Sequence, residues 1–212
     1  MTEPSTIDQT TQASHPGGIK TSPFKWLMSY PTWPLVWFVP LCLFVALAIF
    51  VHWLFWIPVA FFAWANRFYW RRVHDHFMFG CANPAMIVNM EPMLIASATD
   101  LTKGGGEFPV IKIVEKNIKT ANGETPQLGT RLVTVALYQQ NPDDDGSMPR
   151  WRTFDPRPVD CVTSDVSAMQ RVMASLGSDD WQSLDDGLAK LPKPRVAGQY
   201  LITDSGATKE EG

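Results

Sequence analysis

The sequence is short of several things that would point to a familiar chemistry. Between Trp33 and Ala65 there is no Asp, Glu, Lys or Arg, which no ordinary surface helix allows. Histidine is absent after His76, so the second half of the chain cannot build a Ser–His or Cys–His pair from its own residues. There is no Gly-x-Ser-x-Gly string. Of 3 cysteines, Cys42 lies in the charge-free stretch, and Cys81 and Cys161 are far apart. That excludes a disulfide framework and favours a reducing compartment. Only 18% of the 212 residues are charged, against about 25% in a typical soluble domain.

The charge-free stretch dominates what is present. A helix crosses the apolar part of a bilayer in about 20 residues; Trp33–Ala65 is too long for one ordinary span, since a single helix of that length would extend about 50 Å. Lys20 and Lys25 precede the run, and Arg67, Arg71 and Arg72 follow it. Cationic residues collect on the cytoplasmic side, so both ends are expected there. This predicts a helical hairpin turning near Val51-His52-Trp53, although no Gly, Asn or Pro stands at that turn. One long tilted helix with the following domain outside, and a hairpin that enters a single leaflet, are the alternatives.

Residues 1–22 are polar and rich in Thr, Ser, Gln, Pro and Gly and read as a disordered tail. Residues 23–80 comprise the membrane hairpin, an interfacial lead-in with Phe24, Trp26 and Tyr30, and a juxtamembrane helix ending at Gly80. Residues 81–203 read as a soluble domain with period-two patterning. Strands are expected at Ala85–Asn89, Met93–Ala98, Val110–Glu115 and Arg131–Gln139, with shorter ones at Arg150–Phe154, Pro158–Val162 and Gln199–Thr203. Two helices are expected over Val166–Leu176, capped by Ser164 or Asp165, and over Asp179–Leu191, capped by Ser178. Residues 204–212 are polar and read as a loose tail. The fold class is therefore α+β: a membrane hairpin, then a small antiparallel barrel or curled sheet with C-terminal helices.

Candidate chemistry is sparse. His74, His76 and Cys81 are the nearest approach to a metal set, but His74 and His76 face apart on a helix, and no second ligand pair follows. His52, in the apolar run, fits an interface at the hairpin turn. Asn141-Pro-Asp-Asp-Asp-Gly146 lacks the glutamate a calcium loop needs at its twelfth position and reads as an acidic turn. Cys161 reads as core. Asp100, Asp155 and Asp160 are the carboxylates that an enzyme would have to gather. Asp100, Thr102, Lys103, Gly104, Gly105 and Gly106 form the most unusual local stretch, without the order a P-loop requires.

The strings Thr99-Asp-Leu-Thr-Lys-Gly-Gly-Gly-Glu-Phe-Pro-Val-Ile111 and Pro156-Arg-Pro-Val-Asp-Cys-Val162 resemble a bacterial domain family with a membrane-anchored N-terminus. The resemblance covers about residues 67–202 and implies no activity, substrate or catalytic residue.

These readings converge on a non-enzymatic binding module, without metal or cofactor, held at the cytoplasmic face of a bacterial inner membrane. Its partners are expected to be the lipid bilayer and a protein or membrane complex, with a second copy of the chain as one possibility. The 21 acidic residues exceed the 18 basic ones, and the acidic excess lies after Gly80, which argues against nucleic acid. Gly104–Gly106 and Asp143–Asp145 are the expected contact loops. A sensor that binds a nucleotide-like anion near Lys103 is the alternative, and a membrane-bound enzyme comes after it.

Overall fold

The computed structural model describes residues 15–102, 108–140 and 151–210. A short helix α1 (Pro23–Ser29) leads into α2 (Thr32–Phe50), which turns through a 3-10 segment at Trp53–Phe55 into α3 (Trp56–Phe79). Strands β1 (Cys81–Met90), β2 (Met93–Asp100), β3 (Pro109–Glu115), β4 (Arg131–Gln140) and β5 (Trp151–Pro158) follow, then α4 (Val166–Ser175), α5 (Ser178–Lys190), β6 (Gly198–Thr203) and β7 (Gly206–Glu210). The class is α+β, with all strand pairs antiparallel in the order β5-β4-β1-β2-β3-β6-β7.

The sheet curls into a half-barrel. Its edge strand β5 meets β3 and β6 through side chains instead of a backbone ladder. Lys112 Nζ donates to Thr153 Oγ1 at 2.9 Å and to Phe154 O at 2.6 Å. Thr153 Oγ1 donates to Gln199 Oε1 at 2.7 Å, and Gln199 Nε2 to Arg152 O at 3.0 Å. Pairing register puts Asn83, Thr134, Ala85, Ser97 and Lys112 on one face, because partners across a ladder share a face and residues alternate along it. That concave face carries its own polar bonds: Ser97 and Thr134 hydroxyls lie 2.7 Å apart, and Tyr138 Oη contacts Thr99 Oγ1 and Asn83 Oδ1.

Helices cover the opposite face. Val73 and Phe77 of α3 pack with Val133, Val135, Met169 and Val172. Leu184 and Leu188 of α5 pack with Ala96, Ile111 and Ile113. α5 lies close because it presents Gly187 there: a Cβ at that position would stand 2.6 Å from Ile111 Cδ1. Asp165 caps α4, its carboxylate accepting the Ala168 N–H.

The structure corrects four sequence expectations. Residues 15–22, expected to be disordered, are bonded into the domain: Gly17 N–H donates to Gly80 O, Ile19 N–H to Phe77 O and Ser22 N–H to Val162 O. Ile19 is fully buried, and this single apolar side chain in a polar stretch gives the segment something to bury. Of the tail expected to be loose, Gly206–Glu210 is ordered as strand β7 against β6, and residues 211–212 lie outside the described residues. Pro158–Val162 is not a strand; β5 ends at Pro158 and a 3-10 turn occupies Val159–Cys161. Finally, Gly177 rather than Ser178 is the N-cap of α5, its backbone N–H donating to Asp180 Oδ2 at 2.7 Å.

The hairpin geometry answers the missing turn residue. His52 adopts an extended backbone, and its Nδ1 accepts the Leu54 N–H at 3.2 Å, so an imidazole does what Asn or Asp does at other caps. α2 and α3 run back alongside each other, with Phe44 against Phe55 and Phe62 and Trp37 against Phe62. α2 is long and apolar enough to cross a membrane by length and composition. Residues 15–30 before α2 are bonded to the end of α3 and to the sheet domain, so both ends of the hairpin leave from the same place.

Candidate functional site

Two regions collect polar groups that the core does not need. The first is the rim where the β2–β3 and β4–β5 connections leave the sheet. Asp100 ends β2, and its Oδ1 accepts both the Thr102 N–H and the Thr102 hydroxyl at 2.6 Å. Asp100 Oδ2 is buried with no hydrogen-bond partner among the described residues. Lys103, Gly104, Gly105 and Gly106 lie outside the described residues, as does Asp143–Asp145. The roots of both connections are described and meet: Trp151 N–H donates to Leu101 O, and Leu101 N–H to Phe108 O. Phe108, Tyr138 and Trp151 pack over Leu101, Val110, Ala136 and Phe154. The two expected contact loops therefore spring from one rim. Burial pushes the Tyr138 phenol above its usual range, so it is protonated and acts as a hydrogen-bonding group.

The second region is the junction under the hairpin. Tyr30, just after α1, lies between two cations: Lys116 Nζ is 3.5 Å from its ring centroid and the Arg157 guanidinium 5.3 Å. Arg157 also lies 5.2 Å from the Trp26 ring and is held by Asp155 Oδ2 at 2.7 Å. Lys116 donates to Ser29 O, and Lys25 donates to Thr163 O at 2.9 Å. Trp26 Nε1 donates to Tyr69 Oη at 2.6 Å. These bonds tie α1 to the sheet and to α3 at once. Cation–aromatic contacts contribute about 0.5–2 kcal/mol each, so the junction is a latch whose cations are already engaged. Sequence reading missed it because its members are far apart in the chain; only Trp26 and Tyr30 beside Lys25 hinted at an interface.

Nearby, the Asp160 carboxyl is buried in the turn after β5. Its Oδ1 accepts the Asn122 N–H at 2.8 Å, and its Oδ2 has no partner among the described residues. Burial raises it to about 6. Cys161 is also buried, which pushes its thiol up and keeps it from acting as a thiolate.

The remaining candidates separate. Asp100, Asp155 and Asp160 are engaged respectively with Thr102, Arg157 and Asn122. His74 is exposed, whereas His76 is buried with Nε2 donating to Val135 O at 2.8 Å. No group of three metal-ligating side chains occurs among the described residues.

No curated protein matches the chain. A crystal structure of a candidate membrane protein from Corynebacterium diphtheriae is similar, with 23% sequence identity and a TM-score of 0.42, over 52% of this chain and 89% of that one. A family model matches residues 70–192, from the second half of α3 through α5. The chain belongs to that family, DUF3239, described as a protein of unknown function.

Proposed function

We propose that the chain is a membrane-anchored, non-enzymatic binding module. Its α2–α3 hairpin holds the half-barrel at the cytoplasmic surface of a bacterial inner membrane, and the rim at Leu101–Phe108–Trp151 meets a protein partner or a membrane complex. One observation carries the reading. The hairpin exposes Phe38, Leu43, Ile49, Phe50, Ile57 and Phe61, while the adjoining domain buries its apolar side chains against α3, α4 and α5. An exposed apolar surface of that continuity marks a membrane or protein contact. The junction supports anchoring, because it stiffens the link between hairpin and sheet. The rim supports partner binding, because two connections leave together above a floor of aromatic rings. An anion at this rim is disfavoured by Asp100 Oδ2, which is buried without a partner among the described residues and invites a donor.

The test uses the full chain in its native membrane. It should stay with membranes through a carbonate wash, and a photo-crosslinking residue at the exposed Arg152 should give a discrete protein adduct. Recovery in the soluble fraction refutes the anchor; an unchanged migration of the crosslinked sample refutes the binding face.

A further inference from the structure

We infer, building on the anchoring read above, that the hairpin is monotopic: it enters one leaflet and its tip stops inside the hydrocarbon without reaching the far face. α2 alone has the length of a span, but it is paired to α3, and Phe44 against Phe62 fixes their depths together. On α3 the apolar run ends at Ala65 and Arg67, Arg71 and Arg72 follow. From Trp56 the helix rises about 17 Å to Arg67 and about 23 Å to Arg71. The apolar core is about 30 Å thick. Placing the tip at the opposite interface would draw Arg67 to mid-membrane and carry Arg71 and Arg72 below the headgroups. Each arginine held at the centre lowers partitioning about a hundredfold. With the arginines at the near headgroups, the tip ends near or somewhat past the midplane.

Three further observations agree. The continuous exposed apolar surface of α3 ends at Phe68, Arg71 and Arg72 beyond it are exposed, and only Phe79 at the domain end of the helix is again a large exposed apolar side chain. At the base of the finger, α1 buries Trp26 but turns Phe24 and Met28 outward, which suits the headgroup boundary. The tip also satisfies most of its backbone N–H groups locally. Val51 and His52 N–H donate to Leu47 O, Leu54 N–H to His52 Nδ1, Phe55 N–H to His52 O, and Trp56 N–H to Leu54 O. A turn in hydrocarbon requires such local bonds, because no water is there to replace them.

The test places single cysteines at the exposed Trp53 and Ser183 in a background with Cys42→Ser, Cys81→Ser and Cys161→Ala, using the full chain in right-side-out and inverted membrane vesicles. Ser183→Cys should react with an impermeant maleimide from one face only. Trp53→Cys should react from neither face until detergent is added. A fluorophore placed on it should be quenched most by lipids whose quencher sits deep in the acyl chains. Replacing Arg67, Arg71 and Arg72 by leucine should let the tip label from the opposite face. Labelling of unaltered Trp53→Cys from the opposite face, labelling from the Ser183 face, or quenching strongest by shallow lipids would each overturn the monotopic placement while leaving anchoring intact. Recovery of the chain in the soluble fraction would overturn the anchor itself.

Discussion

Two phenylalanines describe the molecule. Phe50, at the end of α2, is 84% exposed, whereas Phe154, in β5, is 1% exposed. The sheet domain follows the rule of water, burying its apolar side chains in four clusters. The hairpin inverts it, and α2 carries apolar side chains on every side. One chain built for two solvents explains both halves. The comparison breaks most readily at the hairpin. Leu43→Asp with Ile49→Asp puts two carboxylates where lipid is expected, at about 3 kcal/mol each. Membrane retention should fall by several orders of magnitude in a flotation assay, while thermal unfolding of the domain in detergent stays unchanged. Retention of the double variant would mean that the finger does not meet lipid.

The converse substitution belongs in the sheet. Leu132 is fully buried beside Ala85, Ile87, Ile95 and Cys161. Leu132→Ala leaves a cavity there and should lower stability by about 2.5–5 kcal/mol, measured by denaturant unfolding in detergent. Leu43→Ala removes the same atoms from an exposed site and should leave that transition in place. Equal losses from the two would erase the distinction between the regions.

The contrast also decides how much of the fold is legible in the sequence. Alternation set most of the strands, since one slip moves a whole apolar set to the wrong face. The absence of charge from Trp33 to Ala65 announced the hairpin, and cations on both flanks, Lys20 and Lys25 before it and Arg67, Arg71 and Arg72 after it, suggested that its ends stay together. Strand β7 escaped because Gly206-Ala-Thr-Lys-Glu210 has almost no apolar content; it exists by pairing with β6. Ile19 escaped because one isoleucine makes no period. The Lys103–Gly106 stretch drew notice by composition, yet the grouping of its root with Trp151 depends on a bond across the curl of the sheet. The Tyr30 junction depends on side chains from four separate segments, which no local pattern reports.

A smaller effect separates two buried ionisable groups of the domain. Burial raises Asp160 from 3.8 to about 6, so its ionisation favours the unfolded chain. Stability is therefore lost as pH rises from about 4 to about 6 and stays reduced above, by up to about 3 kcal/mol. His76 acts in the opposite direction. Burial holds its imidazole below the usual range, so stability is lost as pH falls below the unfolded value of 6.5. Asp160→Asn keeps an oxygen for the Asn122 N–H and removes the charge. Its melting temperature should exceed that of the parent at pH 7.5 and match it near pH 4. Its acid limb should be steeper, because the compensating Asp160 proton is gone. A constant offset at every pH would show that the carboxyl does not titrate in this range.

The smallest effect tests whether the two regions are mechanically one. Arg157 and Arg131 look alike: each lies 5.2 Å from a tryptophan ring and 2.7 Å from an aspartate oxygen. Their neighbours differ. Arg131 joins Trp181 and Asp185, both belonging to α5 on the domain itself, and an exposed pair of this kind contributes about 0.2–1 kcal/mol. Arg157 reaches Trp26 and Tyr30, the last aromatic residues before α2, so its contacts bridge domain and anchor. Lysine cannot stack a flat guanidinium between two rings. Arg157→Lys should weaken the α1 latch by about 1 kcal/mol, near fivefold in local opening. Amide exchange at Ser22, Trp26 and Tyr30 should rise by that factor while the sheet amides stay protected. Arg131→Lys should leave all three amides as they were. If both variants loosen α1 equally, the junction transmits nothing in particular, and the hairpin is tied to the sheet by α3 alone.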